Sequence, residues 1–473
     1  MSQAPLLHSA RRIAKLAWPV FIGQVAVLAF NTVDTVMTAR LSALDLAALA
    51  IGGSVYVSVF VGLMGVVLAV GPISGQLFGA RKLPQAGQQL HQALWLALGL
   101  SVLGCTVLLF PQPFLGLARA QPEVAAKVRS HLAALAFALP CALFFTAFRG
   151  FNTAVSRPKI VMVLQLGGLL LKVPLTALLV FGFTLNTPLG AVHLPSLGAP
   201  GCGIATAIAM ACQMGAAWVV LRRDPFYRPF GLRGSFSAPH RASLLALLRL
   251  GLPMGLSIAI EVTGFTFMAF FISRFGTTPV AAHQIALNLV SVIFMLQLAI
   301  GNATGTLVAQ RIGAGDAADA RRLGWHGVEA GLLIAAVIGC CVYLLRENIL
   351  RAYTRDADVI AFAMPLLAWV VLFHVADAGQ TLAAFVLRAY RVATVPLLVY
   401  AFAIWGVGLA GGYAVAFNTT GWTPLALQGA PGFWAAATAG LVVAASGLCG
   451  FLAWMLRQQQ RAGVAVGAGA AAS

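Results

Sequence analysis

The chain has 473 residues, of which 60 % are hydrophobic and only 9 % charged, and its 30 Lys and Arg outweigh 12 Asp and Glu to give a net charge of +18. A mean hydropathy of +0.91 excludes a water-soluble domain of this length. Apolar runs of about 20 residues recur, each long enough to cross a hydrocarbon core of roughly 30 Å at about 1.5 Å per residue, so the chain reads as a polytopic membrane protein.

In chain order the first half gives spans over 14–38, 49–74, 92–111, 131–152, 160–183 and 199–222. The second half gives 248–273, 281–309, 325–346, 362–387, 396–417 and 432–456. Leu, Ala, Val and Gly dominate these runs without strict alternation, whereas barrel strands would show alternating segments of about ten residues. The expected fold class is therefore all-α integral membrane, with about twelve transmembrane helices. Met1 to Ala10 precede the basic cluster Arg11, Arg12 and Lys15. The apolar run that follows is too long for a cleaved signal and is expected to stay as the first helix.

With the N-terminus placed in the cytoplasm, about 21 of the Lys and Arg fall on inner segments and about 8 on outer ones. Arg81, Lys82, Arg157, Lys159, Arg222, Arg223, Arg228 and Arg233 belong to the inner set. Orientation thus accounts for the charge, and no nucleic-acid partner is expected. The seven cysteines lie in apolar spans without metal-ligand spacing and read as small buried hydrophobes.

Shifting the chain against itself by 234 residues aligns Pro19 with Pro253, Ala48 with Ala282, Gln76 with Gln310, Gly79 with Gly313 and Ala80 with Ala314. FRGFNTAVSRP at the end of the fourth span resembles LRAYRVATVP at the end of the tenth, at a register shifted by a few residues. An even number of spans per repeat predicts two six-helix lobes of the same orientation, related by a pseudo-two-fold along the membrane normal. The expected organisation is an N-terminal lobe over 1–222, a cytoplasmic linker over 223–243 that contains Pro225, Pro229 and Gly231, and a C-terminal lobe over 244–461. The low-complexity tail 462–473 is expected to be disordered.

Asp34, Glu261 and Asp377 lie inside apolar runs, where an ionised carboxylate at the centre of a span costs roughly 2.5 to 3.5 kcal/mol, so each is a functional-site candidate. Glu261 stands about 13 residues into its span and Asp377 about 15, both near mid-membrane, where a carboxyl could load a proton or bind a bare cation. Asp34 is shallower, some 6 Å below the outer interface. The repeat does not superpose these acids: position 34 aligns with Met268, and Glu261 with Val27.

Lys172 reads as the one base at membrane depth, with either interface roughly 16 to 18 Å away and beyond snorkelling reach. Asp34 is the acid available in the same half, and Thr176 follows at i+4, so an Asp34–Lys172 pair is expected. His374 lies three residues before Asp377 on nearly the same helix face, with Phe373 beside it. Pro19 and Pro174 sit inside spans, where a missing N–H permits bending. No GxxxxGK[ST], HExxH, CxxC or GxSxG pattern occurs, so neither direct ATP energisation nor a familiar hydrolytic site is expected.

WPVFIGQVAVLAFNTVDTVMTA in the first span, LGAPGCGIATAI at the sixth, LGLPMGLSIAIEVTGF in the seventh, VAAHQIALNLVSVIF in the eighth and LRAY closing the tenth together resemble the multidrug and toxic compound extrusion (MATE) family, NorM-like branch. The resemblance covers almost the whole chain, including FYRPFGL between the halves. It implies a secondary active antiporter that expels cationic or amphipathic compounds in exchange for Na⁺ or H⁺. By matching motif positions it also implies cation coupling at Asp34, Glu261 and Asp377, a first-lobe site that includes Thr176 and Thr206, an aromatic at Phe373, and a first helix bent at Pro19. No cofactor is implied beyond the coupling ion, and Glu261 and Asp377 could hold Na⁺. The implied partners are small cationic drugs and the lipid bilayer. The implied setting is a bacterial inner membrane, crossed many times by a functional monomer with both termini in the cytoplasm.

The fifth span reads KVPLT where NorM-like sequences tend to carry a pattern like NVPLN. An ammonium beside Asp34 would take the place of a bound Na⁺, which favours the Glu261 and Asp377 lobe for coupling. Two other readings fit the sequence less well. A lipid-linked precursor flippase of the same superfamily would need a strongly cationic cavity, and an integral-membrane lipid transferase would need acids or histidines clustered near the interface; neither pattern is present.

Overall fold

The computed structural model describes residues 3–118, 121–187, 190–234, 236–419 and 421–471. Its first half comprises α1 (Gln3–Leu41), α2 (Ala43–Val67), α3 (Val70–Gly79), α4 (Leu83–Leu109), α5 (Gln112–Ala118), α6 (Pro122–Ala154), α7 (Pro158–Phe181), β1 (Phe183–Thr187), β2 (Gly190–Leu194) and α8 (Ala199–Arg223). The second half comprises α9 (Arg241–Ile272), α10 (Thr277–Gly313), α11 (Ala317–Tyr353), α12 (Ala357–Ala389), α13 (Thr394–Tyr400), α14 (Gly411–Ala416) and α15 (Ala430–Ala471), with a π-helical stretch, Ala401–Ala410, joining α13 to α14. Among the described residues 12 helical spans are long and apolar enough to cross a membrane, and the chain is a membrane protein.

The expected all-α fold class holds, and the one addition to it is a short connecting hairpin in which β1 and β2 pair antiparallel, Phe183 with Leu194 and Thr187 with Gly190. The segment is too short to stand out beside the apolar spans. The low-complexity tail continues α15 through Ala471, a course that alanine-rich sequence favours, while Ala472 and Ser473 lie outside the described residues.

The second span is divided into α2 and α3 for a local reason. Pro72 has no N–H to offer the carbonyl of Leu68, and its ring crowds that carbonyl. The chain tightens there, with Ala69 N–H donating to Val66 and Gly71 N–H to Leu68. The equivalent position in α10 is Thr306, and α10 runs unbroken.

The repeat is legible in backbone hydrogen bonds. After α3, the N–H groups of Ala80, Arg81 and Lys82 donate to Gln76, Phe78 and Leu77. After α10, those of Ala314, Gly315 and Asp316 donate to Gln310, Ile312 and Arg311, at the expected offset. A second pair of turns matches at one residue more: Val155, Ser156 and Arg157 donate to Phe151, Thr153 and Asn152, as Tyr390, Arg391 and Val392 donate to Val386, Arg388 and Leu387. Arg388 therefore corresponds to Thr153, and not to Arg149 as the shifted sequence match suggested.

The chain divides into two compact units, Trp18–Gly255 and Met1–Ala17 with Leu256–Ser473. These boundaries differ from the expected ones because α1 and α9 each belong to both units, dividing beside the repeat-related Pro19 and Pro253. α1 is a continuous helix through Pro19. The most buried helix of the first unit is α6, whose Leu132, Leu139, Leu143 and Phe151 are enclosed by α2, α4 and α8. In the second unit α12 holds that place among α10, α11 and α15.

The segment expected as the linker packs into the first unit. Tyr227 and Phe230 are buried, the Tyr227 hydroxyl donates to Asn152 Oδ1 at 2.5 Å, and Phe230 packs against Phe78 and Phe151. Burial pushes the Tyr227 phenol up to about 12, so it remains a donor. Asp224 accepts from Phe226 N–H at 2.9 Å and from Arg157 at 2.6 Å, which hold its carboxyl below the ordinary value. Trp95 and Gln92 donate to the carbonyls of Ser237 and Ala238. Position 235 of this segment lies outside the described residues.

A second lock joins α2, α6 and α8. Ser42 caps α2, and its hydroxyl donates to Asp45 Oδ2 at 2.6 Å. Lys127 of α6 reaches Asp45 Oδ1 and Oδ2 at 2.7 and 2.6 Å, and Ala199 N–H, at the start of α8, donates to Oδ1 at 2.9 Å. Gly198 makes room for this contact: at φ +60°, a Cβ there would stand 2.1 Å from Asp45 Oδ1.

Candidate functional site

Each unit contains its own intramembrane charge cluster. In the first unit α1 supplies Asp34, α7 supplies Lys172 and Thr176, and α8 supplies Thr206 and Cys202. Lys172 is only 1 % exposed, and its Nζ donates to Asp34 Oδ2 at 2.8 Å and to Thr206 Oγ1 at 2.7 Å. The Phe30 ring lies 4.8 Å from the ammonium, which completes its surroundings with a cation–π contact. Thr206 in turn donates to the Cys202 carbonyl at 2.9 Å. The side chains of Cys202 and Thr176 also hydrogen-bond to the Asp34 carboxyl. The expected Asp34–Lys172 pair is thus present, Thr206 belongs to it directly, and Thr176 is buried beside the carboxylate.

In the second unit Glu261 of α9 and Asp377 of α12 meet through an amide the sequence reading did not single out. Gln380 Nε2 donates to Asp377 Oδ1 at 2.8 Å, to Glu261 Oε1 at 3.3 Å and to Thr381 Oγ1 at 3.1 Å. Asp377 and Gln380 are buried, and Glu261 is half-buried. One helical turn beyond Glu261, Gly264 and Phe265 line an apolar recess with Met268, Ile404, Gly408 and Leu441. Its far wall includes the π-helical stretch, and Trp405 Nε1 within that stretch donates to the Ile260 carbonyl at 3.1 Å. A wide-turn helix beside a charged site is a local departure of the kind found where side chains must be re-aimed.

Phe373 and His374 do not join the carboxylates. Phe373 packs between Phe265 and Trp434, at ring distances of 5.9 and 5.3 Å. His374 is buried, with neither ring nitrogen hydrogen-bonded among the described residues.

Lys172 is not the one base removed from solvent among the described residues. Arg388, 8 % exposed near the end of α12, stands over Phe385 and within electrostatic reach of Glu261 and Tyr400. Arg149 lies inside α6, with Nη2 directed at Met64 Sδ at 3.3 Å. Both sit close enough to a helix end to read as interface residues, which hid them. The cysteines also differ from expectation: Cys212, Cys340 and Cys341 are exposed, since the outward face of a membrane helix accepts a thiol as readily as a core does. Among the described residues no group of three or more His, Cys, Asp or Glu could hold a metal ion.

The family profile described as MatE matches residues 19–178 and 253–414. A probable multidrug resistance protein NorM from Aromatoleum aromaticum is 39 % identical over 459 residues, which span 96 % of this chain and 95 % of that protein. The multidrug resistance protein PmpM of Pseudomonas aeruginosa is 34 % identical over 440 residues, 93 % of this chain and 90 % of its own. Among solved structures, the Vibrio cholerae MATE transporter VcmN in the bent form superposes with a TM-score of 0.82 at 19 % identity, covering 96 % of this chain and 99 % of that one. The eukaryotic MATE transporter AtDTX14 gives 0.83 at 18 % identity, with coverage of 96 % and 99 %.

Proposed function

We propose that this chain, which belongs to the MatE family, is a secondary active efflux antiporter that expels small cationic or amphipathic compounds in exchange for an inward-moving cation. The observation that carries this reading is the Gln380 bridge between Glu261 and Asp377, with an apolar recess one turn away. Two carboxylates held by one amide can exchange a proton or Na⁺ for an organic cation. Names of relatives as multidrug resistance proteins support the same substrate class. The inner membrane of a bacterium, with both termini in the cytoplasm, suits the excess of inner Lys and Arg. A monomer suffices, because each charge cluster is complete within one chain.

The energetics are sufficient. One positive charge moving inward through about 150 mV releases roughly 3.5 kcal/mol, enough to hold about a 300-fold gradient of a neutral solute. A monovalent cationic drug exchanged one for one has no net electrical drive, so the ion's chemical gradient or a higher stoichiometry must contribute. The test is efflux of a fluorescent cation from proteoliposomes under separately imposed Na⁺ and pH gradients. No response to either gradient would sink the antiporter reading.

A further inference from the structure

Arg222 and Arg233 hold each other's backbone. Arg222, in the last turn of α8, donates from Nη1 to the Arg233 carbonyl at 2.7 Å, and Arg233, in the connecting segment, donates from Nη2 to the Arg223 carbonyl at 2.7 Å. The Arg222 guanidinium also lies over the Trp218 ring, 4.6 Å from its centroid. These contacts fix two guanidiniums at one corner of the first unit, and neither forms an ion pair among the described residues. Arg233 Nε is buried and has no hydrogen-bond partner among the described residues. Asp224 is within electrostatic reach of Arg233, but its carboxyl is already engaged by Arg157 at 2.6 Å and by Phe226 N–H at 2.9 Å. Counting Arg157 and Arg223, four guanidiniums are set against one carboxylate at this corner. Capping alone does not call for such a cluster. Carbonyls at a helix end are satisfied by water or by a single base, and guanidiniums held side by side repel unless an anion lies among them.

The level of the cluster along the helix gives the anion's setting. α8 turns an apolar face outward that includes Ile208, Cys212, Trp218 and Val219. Trp218, 44 % exposed, stands roughly 8 Å before the helix end, and Arg222 follows it at i+4. α7 repeats the arrangement: Lys159, in its first turn, lies 5.8 Å from the ring of Trp18, which is 46 % exposed. α7 packs against α8, with Gln213 Nε2 donating to the Leu164 carbonyl at 3.0 Å, so the ends that carry Lys159 and Arg222 lie on the same side. Exposed tryptophans backed by bases mark the boundary between hydrocarbon and lipid headgroups.

We infer that Arg222 and Arg233 form a binding site for the phosphate of an anionic phospholipid, its headgroup in the leaflet that meets this end of α8 and its acyl chains along the Trp218 face. A guanidinium presents paired N–H groups that match two phosphate oxygens, and one already fixed by backbone contacts loses little freedom when it binds. A soluble phosphate has the same chemistry at the arginines but gains nothing from the apolar face, so the lipid is the favoured occupant. The site takes no part in the transport cycle and stands whether or not the chain is an antiporter.

The experiment titrates purified full-length protein in detergent with phosphatidylglycerol, and separately with zwitterionic phosphatidylcholine, and reads bound lipid by native mass spectrometry. The wild type should bind phosphatidylglycerol about tenfold more tightly than phosphatidylcholine, a preference that R222Q/R233Q loses and that R228Q, at an exposed arginine of the same segment, keeps. R222K/R233K retains the charge without the paired N–H geometry and should also lose most of the preference. An undiminished preference in R222Q/R233Q, or an equal loss in R228Q, overturns the site. Full preference in R222K/R233K overturns it too, because charge alone then attracts the lipid. Excess glycerol 1-phosphate should leave the bound phosphatidylglycerol in place; displacement would assign the arginines to a soluble phosphate and overturn the lipid. A wild-type measurement covers failure of the double variants to fold. Phosphatidylglycerol added to phosphatidylcholine nanodiscs should shield Arg222 and Arg233, but not Arg228, from phenylglyoxal several-fold. Equal labelling in the two kinds of nanodisc, or equal shielding of all three arginines, overturns the assignment.

Discussion

Asp377 and Glu261 accept from one and the same nitrogen, Gln380 Nε2, at 2.8 and 3.3 Å. An amide NH₂ has two hydrogens, and here it faces three acceptors once Thr381 Oγ1 is included. The bridge holds the two carboxyl groups on a single side chain. Gln380→Ala removes charge-assisted hydrogen bonds worth about 1.5–3 kcal/mol in total and should slow gradient-driven efflux roughly tenfold or more. Initial efflux rates in proteoliposomes check this. Rates within experimental error of wild type would mean the two acids work independently.

Asp34 and Lys172 should show strong coupling in a double-mutant cycle. Asp34→Asn alone leaves a buried ammonium without its counter-charge, at a cost of about 3–5 kcal/mol, whereas D34N/K172Q removes both charges and should regain most of that loss. Thermal unfolding of detergent-solubilised protein measures it. Equal melting temperatures for the single and double variants would contradict the pairing.

Gly198→Ala should destabilise the first unit more than Lys127→Met. The new Cβ would fall 2.1 Å from Asp45 Oδ1 at a backbone φ of +60°, a combination expected to cost at least about 1–3 kcal/mol. Lys127 is 34 % exposed in its pair with Asp45, so solvent screening limits its share to about 1 kcal/mol. A reversed order in melting temperature would show that the Asp45 lock depends on charge and not on close approach.

The docked connecting segment should loosen in acid. The folded state holds the Asp224 carboxyl below its ordinary value through Phe226 N–H and Arg157. Its contribution is therefore fully present above an ordinary Asp value of about 4 and is lost as pH falls through the depressed folded value. Limited proteolysis of residues 223–243 should accelerate over that window in the wild type. Asp224→Asn should show faster cleavage already at neutral pH and no acid step.

What the sequence disclosed was whatever carried a visible energetic penalty. Asp34, Lys172, Glu261 and Asp377 stood out because charge inside a long apolar run is costly, and lying in the same half was enough to pair the first two. Gln380 carries no formal charge and sits in the small-residue stretch DAGQT, so its role emerged only when α9 and α12 were brought together. Arg388 and Arg149 escaped because a base near a helix end reads as an interface anchor. Phe373 was placed on the correct helix, but its neighbours Phe265 and Trp434 depend on which faces meet, which spacing along one helix cannot give. The prolines and arginines of the connecting segment marked it as a linker, but the burial of Tyr227 and Phe230 depends on contacts that composition does not show.

The matching turns after α3 and α10, and after α6 and α12, differ in offset by a single residue. A residue added within a helix would rotate everything after it by about 100° and scramble which side chains face inward. The extra position must therefore be absorbed in a connection, where α11 meets α12 or its counterpart around α5. Duplication and fusion of a six-helix ancestor would leave this trace, with insertions admitted only where they cost no phase. The two descendants kept the angular bookkeeping of their helices while diverging in content, so that one now closes its acid with a lysine and the other shares its acids across an amide.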